Sequence, residues 1–311
     1  MKSHTSAAAR PRSGLGLVTS VRARGRGIIV LAGPSSCGKG AVAAALRKTL
    51  HLPPENHLSM GEALREIVEK SAVNPAFRAT VGERYGVHAD RGIFDAEVTP
   101  PAIVQKARQY EGELRARFGA APTQVDWLSL CVTAGLLVPD AWSERIIEGV
   151  IAARAAQDEV LILLDGYPRT EVAARHVLDL SSRLGIGILK VIHLSISKGE
   201  MHRRALGRAR MDDTEEMLER RYQFYIDHVQ PAMETLKANL GSHSVALIDA
   251  QQPSYLPDGT LDLEGSVRNV AHAVLVALGV SRHILDHLEE GPAPIPIPIP
   301  TPIPIPIPIP G

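Results

Sequence analysis

The sequence of 311 residues contains only two cysteines, Cys37 and Cys131, and equal numbers of basic and acidic residues, 34 of each. Two cysteines cannot form the disulfide framework of a small secreted domain, and they suit a reducing compartment. A net charge of zero gives no overall attraction to nucleic acid or to an anionic membrane. No apolar run approaches the roughly 18 residues that cross a bilayer. With 45% hydrophobic and 22% charged residues, the chain is predicted to be globular and cytoplasmic.

The two ends of the chain differ in composition from the middle. Residues 1–26 carry several arginines, and the first acidic residue of the chain is Glu55. This pattern predicts a disordered basic leader, with an organelle-targeting transit peptide as the alternative. The tail, residues 289–311, has proline at every second position from Pro292. Because proline fixes φ and removes the amide donor, the tail is predicted to be an extended polyproline II spacer.

Between the two ends, residues 27–288, short apolar runs alternate with helical patterns, which predicts an α/β fold with a parallel sheet covered by helices on both faces. Strands are predicted at 28–32, 160–164, 189–196 and 245–248. Helices are predicted at 41–50, 140–156, 171–184, 213–239 and 267–278. Residues 66–134 have helical patterns with little strand signal and are predicted to form a mostly helical insertion. In such sheets ligands bind beyond the carboxyl ends of the strands, so motifs that follow strands are the candidate site.

The first motif, GPSSCGKGA, follows the first predicted strand and precedes an alanine-rich helix. Gly33, Gly38 and Lys39 satisfy the pattern G-x-x-x-x-G-K of a phosphate-binding loop, although Gly40 and Ala41 stand where a hydroxyl that contacts magnesium is usual. Backbone amides and the helix dipole favour phosphate here, and the lysine adds a cation. The alternative is a merely structural glycine loop. The predicted nucleotide-binding residues are Gly33, Ser35, Ser36, Cys37, Gly38, Lys39, Gly40 and Ala41.

The second motif is LILLDGYPRT, residues 161–170. Asp165 ends a buried strand, where magnesium or a water bound to it would explain a carboxylate. Gly166 lets the chain turn, and Arg169 offers a planar fork for phosphate. Taken alone, the motif could be an acidic cap on a turn.

The third motif, residues 202–221, is rich in arginine. Arg204 and Arg208 lie four residues apart on one predicted helical face, and Arg210 and Arg221 follow. A run of charges is usually a solvated surface. Beside a phosphate loop, however, arginines can surround a moving phosphoryl group, because phosphoryl transfer depends on positioned cations.

These motifs, with LSMGEALRE at 58–66 and GLLVPD at 135–140, occur in the order seen in adenylate kinases. From about residue 27 to residue 280 the chain resembles that family of nucleoside monophosphate kinases, with residues 66–134 unmatched. The resemblance implies a P-loop NTPase-type sheet with an enlarged helical insertion on the acceptor side. It also implies a much shortened lid, because only Ala209 separates Arg208 from Arg210. The family has glycine after the lysine, but its next residue, threonine, is replaced here by Ala41.

The resemblance also implies roles for single residues. Arg204 would face the base of ATP, and Asp165 would hold Mg²⁺ through water. The transferred group would be surrounded by Lys39, Arg208, Arg210 and Arg221. The acceptor monophosphate would contact Ser59, Gly61, Arg65, Leu137, Val138, Gly166 and Arg169. Family members read the acceptor base with a threonine and a glutamine, which are Met60 and Ala173 in this chain.

The resulting hypothesis is direct in-line transfer of the γ-phosphate from ATP, with Mg²⁺, to a nucleoside monophosphate. AMP is the preferred acceptor, and two molecules of ADP are the products. One alternative is a kinase for UMP, CMP or a small alcohol. The other is a nucleotide-binding interaction module without turnover. The insertion is either a lid that excludes water or a partner surface. Neither nucleic acid nor a membrane is an expected partner, and the oligomeric state is left open.

Overall fold

The computed structural model describes residues 26–155, 160–207 and 214–289. Its strands are β1 Gly27–Ala32, β2 His57–Ser59, β3 Leu161–Asp165, β4 Ile188–Ser195, β5 Val245–Asp249, β6 Ser254–Tyr255 and β7 Leu261–Asp262. The first five form one parallel sheet in the order β2-β3-β1-β4-β5, and β6 and β7 form a small antiparallel hairpin. The predicted parallel sheet is therefore confirmed.

Helices flank this sheet along the whole described chain. They are α1 Lys39–Leu50, α2 Met60–Val73, α3 Pro75–Tyr85, α4 Pro101–Arg108, α5 Glu111–Phe118, α6 Gln124–Thr133, α7 Asp140–Ala155, α8 Glu171–Arg183, α9 Lys198–Gly207, α10 Glu215–Phe224, α11 Gln230–Leu240, α12 Leu263–Ala277 and α13 Arg282–Glu289. No helix within the described ranges combines the length and the hydrophobicity that crossing a bilayer requires.

The central strand β1 explains why the sheet is covered on both faces. Its side chains alternate, so that Ile28 and Val30 enter one hydrophobic core while Ile29 and Leu31 enter the other. A strand that is buried on both faces reads as a continuous apolar run, which is why its position could be predicted.

Two elements differ from the prediction. The edge strand β2 is only three residues long, too short to leave a periodic signal. The helix predicted over 213–239 is divided into α10, a π turn over Tyr225–Val229 and α11. Pro231 lies at the start of α11 and has no amide hydrogen to donate to the carbonyl four residues earlier. The regular helical ladder is therefore interrupted at this point.

The insertion contains helices α3 to α6 and shares one core with the sheet. Val81, Leu114 and Trp127 are fully buried in the same cluster as Ile28 and Val30. The predicted boundary at residue 66 lies inside α2, so no structural break separates the insertion from the rest of the chain at that point. The short connection predicted at Arg208 to Arg210 lies outside the described residues.

Candidate functional site

A cleft of about 220 Å³ lies at the carboxyl edge of the sheet. Ten residues that the sequence placed in separate motifs line it together: Gly33, Ser35, Lys39, Gly61, Arg65, Leu137, Val138, Gly166, Arg169 and Arg221. Further lining residues that the sequence did not single out include Cys131, Val132, Phe224, Tyr225 and Val229. The cleft therefore joins the phosphate loop to the predicted acceptor side.

The phosphate loop turns sharply between β1 and α1. Gly33 has φ +147°, and a Cβ there would lie 2.5 Å from the carbonyl oxygen of Leu194, so only glycine fits. Gly38 has φ +92° and caps α1. The Nζ atom of Lys39 donates hydrogen bonds to the carbonyl oxygens of Gly33, at 3.0 Å, and Pro34, at 2.8 Å. These bonds hold the lysine ammonium group within the loop.

The other loop residues lie around this lysine. Ser36 has a left-handed backbone, φ +59°, and its buried hydroxyl has no hydrogen-bond partner. Cys37 is buried, with Sγ 3.7 Å from Nζ of Lys39. Gly40 and Ala41 are exposed in the first turn of α1, where they offer backbone amides but no hydroxyl.

Asp165 lies at the end of β3, between Leu31 of β1 and Ser59 of β2 in the strand register. It is 7% exposed, and its Oδ1 atom has no hydrogen-bond partner. Its Oδ2 atom is 3.8 Å from Nε2 of His57, which is beyond hydrogen-bond range. An unpartnered carboxylate oxygen at this edge fits a water-mediated contact to Mg²⁺. Within the described ranges, no group of three or more His, Cys, Asp or Glu residues is placed to hold a metal ion.

Each of three arginines in the cleft packs against a glycine. The pairs are Gly61 with Arg65, Gly135 with Arg221 and Gly166 with Arg169. A Cβ added to any of these glycines would lie between 3.2 and 3.4 Å from the nearest guanidinium atom. The missing side chains therefore let the three guanidinium groups lie close to the backbone.

Arg169 is held by a hydrogen bond from its Nε to the carbonyl oxygen of Gly166, at 2.9 Å. Part of its side chain is exposed to the cleft. Desolvation by the surrounding protein lowers the pKa of Arg169, the carboxylate of Asp165 opposes that shift, and Arg65 adds to it. Two cations and one carboxylate thus interact at the acceptor side of the cleft.

Arg204 lies beside the phosphate loop rather than in the cleft wall. Its guanidinium donates to the carbonyl oxygens of Ala250, at 2.9 Å, and Cys37, at 3.5 Å, and to Glu200 Oε1, at 2.6 Å. Hydrogen bonds from Arg203, opposed by desolvation but reinforced by Arg204, lower the pKa of Glu200 to about 2.

Three of the predicted residues remain, Ser59, Arg208 and Arg210. Ser59 caps α2, because its hydroxyl accepts a hydrogen bond from the amide of Glu62 at 3.4 Å. Arg208 and Arg210 lie outside the described residues.

Met60 and Ala173, the positions that depart from the adenylate kinase pattern, face one small cavity of about 20 Å³. Both residues are buried. Leu64, Leu137 and Val138 also line this cavity, so much of its wall is apolar. Arg169 is at its edge, which joins it to the acceptor side of the main cleft.

One pair beside the cleft leaves no signal in the sequence: Tyr225, which lines the cleft, and His193 of β4. Nε2 of His193 is 2.7 Å from Oη of Tyr225. The two residues are 32 positions apart, and no local pattern connects them.

A phosphate loop between a strand and a helix, a carboxylate on the adjacent strand and several cations around one cleft define a P-loop phosphotransferase. Curated relatives support this class. The chain is 26% identical over 253 residues to a protein named adenylate kinase from Corynebacterium diphtheriae, covering 81% of this chain and 98% of the relative. It is 29% identical over 206 residues to an adenylate kinase from Corynebacterium glutamicum, covering 66% and 83%. It is 26% identical over 208 residues to adenylate kinase 1 from Nostoc, covering 66% and 82%.

The predicted resemblance to adenylate kinases is thereby confirmed, and these relatives support a nucleotide kinase. No family model matches the chain. Among solved structures, a gluconokinase from Sinorhizobium meliloti aligns with a TM-score of 0.40 at 14% identity, over 87% of this chain and 100% of that one. A shikimate kinase from Bacteroides thetaiotaomicron aligns with a TM-score of 0.39 at 12% identity, over 82% of this chain and 100% of that one.

Proposed function

We propose that this protein transfers the γ-phosphate of ATP to a nucleoside monophosphate and uses AMP best. The proposal rests on one observation. Four cationic side chains line the same cleft: Lys39, Arg65, Arg169 and Arg221. A cation from the phosphate loop thus shares a single space with cations from the acceptor side. A phosphate bound on each side can then be aligned for direct transfer, which depends on positioning and charge.

On the donor side, the loop amides and the N-terminus of α1 bind the phosphates of ATP. Lys39 neutralises charge on the transferred group, and Arg221, which lines the same cleft, adds a second cation. Mg²⁺ brought by the nucleotide supplies further charge neutralisation, and Asp165 is the residue that would hold it through water.

On the acceptor side, Arg65 and Arg169 grip the phosphate of the monophosphate through charge-assisted hydrogen bonds. An oxygen of that phosphate attacks the γ-phosphorus directly while the bond from this phosphorus to the β–γ bridging oxygen breaks, so that ADP leaves and no covalent enzyme intermediate forms. Two arginines on the acceptor side favour a phosphate-bearing acceptor over a small neutral alcohol.

The base of the acceptor is read only weakly. Met60 and Ala173 cannot donate or accept side-chain hydrogen bonds in the way that a threonine and a glutamine can. A site that hydrogen-bonds its substrate can reject analogues by several orders of magnitude, so a site without these bonds selects less. The choice of AMP rests on the curated relatives, which are named adenylate kinases.

The test is an ADP-production assay with MgATP and, in turn, AMP, dAMP, GMP, CMP and UMP. AMP should react fastest, with a preference below about a thousandfold over the other bases. Lys39→Met should lower kcat by about a hundredfold or more, as expected for loss of a preorganised cation. The absence of turnover with every monophosphate, in a protein that still binds ATP by calorimetry, would contradict the proposal. That outcome would favour a nucleotide-binding interaction module, for which Ala41 and Met60 are the supporting departures.

A further inference from the structure

The helix that carries Arg221, α10, is anchored by the buried side chain of Leu218 and by the partly buried ring of Tyr222, which packs against the core. Within α10, all of which is described, Leu218 is the only buried residue. The ion pairs Arg220–Glu216 and Lys198–Glu219 are at the surface, where such pairs contribute little. The residues that follow α10 are a further means of placing Arg221.

Tyr225 is the first of these residues, and it joins α10 to the sheet. It is 6% exposed and lines the cleft one turn after Arg221. Its hydroxyl is hydrogen-bonded to His193, which lies in β4 opposite Ala32, the last residue of β1 before the phosphate loop. One hydrogen bond thus connects the helix of Arg221 to the base of the loop.

The π turn over Tyr225–Val229 serves this arrangement. In a regular α-helix, each step of four residues rotates the side chain by about 40° around the axis. Arg221, Tyr225 and Val229 follow one another at such steps, yet all three line the cleft. The π turn spans Tyr225 and Val229, both of which line the cleft beyond the end of α10. Turns of this kind occur frequently at functional sites.

We propose that Tyr225, held by His193, is a positioning residue for phosphoryl transfer, which fixes Arg221 in the cleft that it shares with Lys39. The proposal rests on the proposed function, because that function assigns Arg221 to the transferred group. A displacement of about 1 Å in such a group can lower the rate by about a hundredfold.

The charges around the pair give it a distinctive pH dependence. His193 faces Tyr225 from the π turn, Lys39 from α1 and Glu234 from α11. Burial lowers the pKa of His193, Lys39 lowers it further, and Glu234 opposes both. Burial raises the pKa of Tyr225, and the side chain of Gln230 opposes that shift. His193 and Tyr225 are therefore both neutral near pH 7. In acid, protonation of His193 adds a second positive charge beside that of Lys39.

The experiment compares four variants with the wild-type chain in the ADP-production assay. Tyr225→Phe and His193→Leu remove the hydrogen bond. His193→Gln replaces the imidazole with an amide of similar reach that can bond the hydroxyl but does not titrate. Tyr222→Phe is the matched control on the same helix, because the Tyr222 ring packs 6.3 Å from that of Tyr225 and beneath Lys198.

The two disrupting variants should lower kcat by about tenfold or more, with KM for ATP and for AMP within about threefold of wild type. His193→Gln should restore most of this kcat, and Tyr222→Phe should stay within about twofold of wild type. The ionisations of ATP and AMP affect wild type and every variant in the same way. Wild type should lose additional kcat as the pH falls through the lowered pKa of His193, which lies below the usual value of about 6.5, and this loss should be absent in His193→Gln.

Unchanged kcat in Tyr225→Phe, in a wild-type protein that transfers phosphate, would overturn this inference alone. An equal loss in Tyr222→Phe would also overturn it, since removal of either tyrosine hydroxyl, rather than loss of the specific bond to His193, would then lower kcat. If His193→Leu does not fold, Tyr225→Phe with His193→Gln completes the comparison. A wild-type protein without transfer to any monophosphate would overturn both this inference and the proposed function.

Discussion

The guanidinium of Arg221 packs directly against Gly135, and a Cβ at that glycine would lie 3.2 Å from Nε of the arginine. Gly135 also has φ +66°, a conformation that costs an alanine about 1–2 kcal/mol. Gly135→Ala should therefore both destabilise the protein and displace Arg221. We expect kcat to fall by about tenfold, with KM values changed much less.

Gly185→Ala is the matched control for this prediction. Gly185 has φ +60°, but no atom lies within 4 Å of the position that its Cβ would take. The control should lower the thermal midpoint by a similar amount and leave kcat unchanged. Equal kcat in the two variants would show that Gly135 is needed only for its backbone conformation and does not position Arg221.

Arg169→Met should weaken binding of the acceptor AMP and leave binding of the donor ATP nearly unchanged. Arg169 lies with Arg65 at the acceptor side of the cleft and is held by Gly166. Loss of a charge-assisted hydrogen bond should raise KM for AMP by about tenfold to a hundredfold. The dissociation constant of ATP, measured by calorimetry, should change by less than about twofold.

Arg175→Met is the control for this prediction. Arg175 is exposed on α8, and among the described residues its ion pair is with Glu171. Equal weakening of ATP and AMP would contradict the assignment of Arg169.

The sequence predicted the elements whose signals are local. The run Ile28–Leu31 and the pattern from Gly33 to Lys39 are continuous in the chain, so strand, loop and helix could be derived together. The contact of Gly135 with Arg221 and the bond of His193 to Tyr225 join residues far apart in the chain. No periodicity encodes such contacts, because they are determined by how helices pack on the sheet. The placement of Arg221 could therefore be predicted only in part.

The stability of the protein should fall in mild acid, partly because of His176. Its Nδ1 atom is 2.8 Å from Oη of Tyr167, and burial lowers the pKa of His176 below its usual value of about 6.5. Below that pH the unfolded chain takes up the proton and the folded protein resists it, so the free energy of unfolding decreases as pH falls. One such group contributes at most about 1.4 kcal/mol per pH unit, and less here because the ring is partly exposed.

The measurement is the difference in thermal midpoint between about pH 7.5 and about pH 5.5. This difference should be smaller in His176→Gln than in wild type. It should not disappear, because His193 shifts in the same direction. Identical differences in the two proteins would contradict a role for His176.

The insertion should unfold together with the sheet rather than as a separate lid. Leu114 and Trp127 are fully buried in the core that also contains Ile28. Leu114→Ala should therefore lower the free energy of unfolding of the whole protein by about 2–5 kcal/mol. Tryptophan fluorescence reports on this core, because Trp142 is also buried in it. Fluorescence and circular dichroism should give one coincident transition in denaturant.

Val73→Ala is the control, because Val73 is 82% exposed. This change should alter the free energy of unfolding by less than about 0.5 kcal/mol. A first transition that changes fluorescence while most of the circular dichroism and the transfer activity remain would instead identify the insertion as an independently folding partner surface.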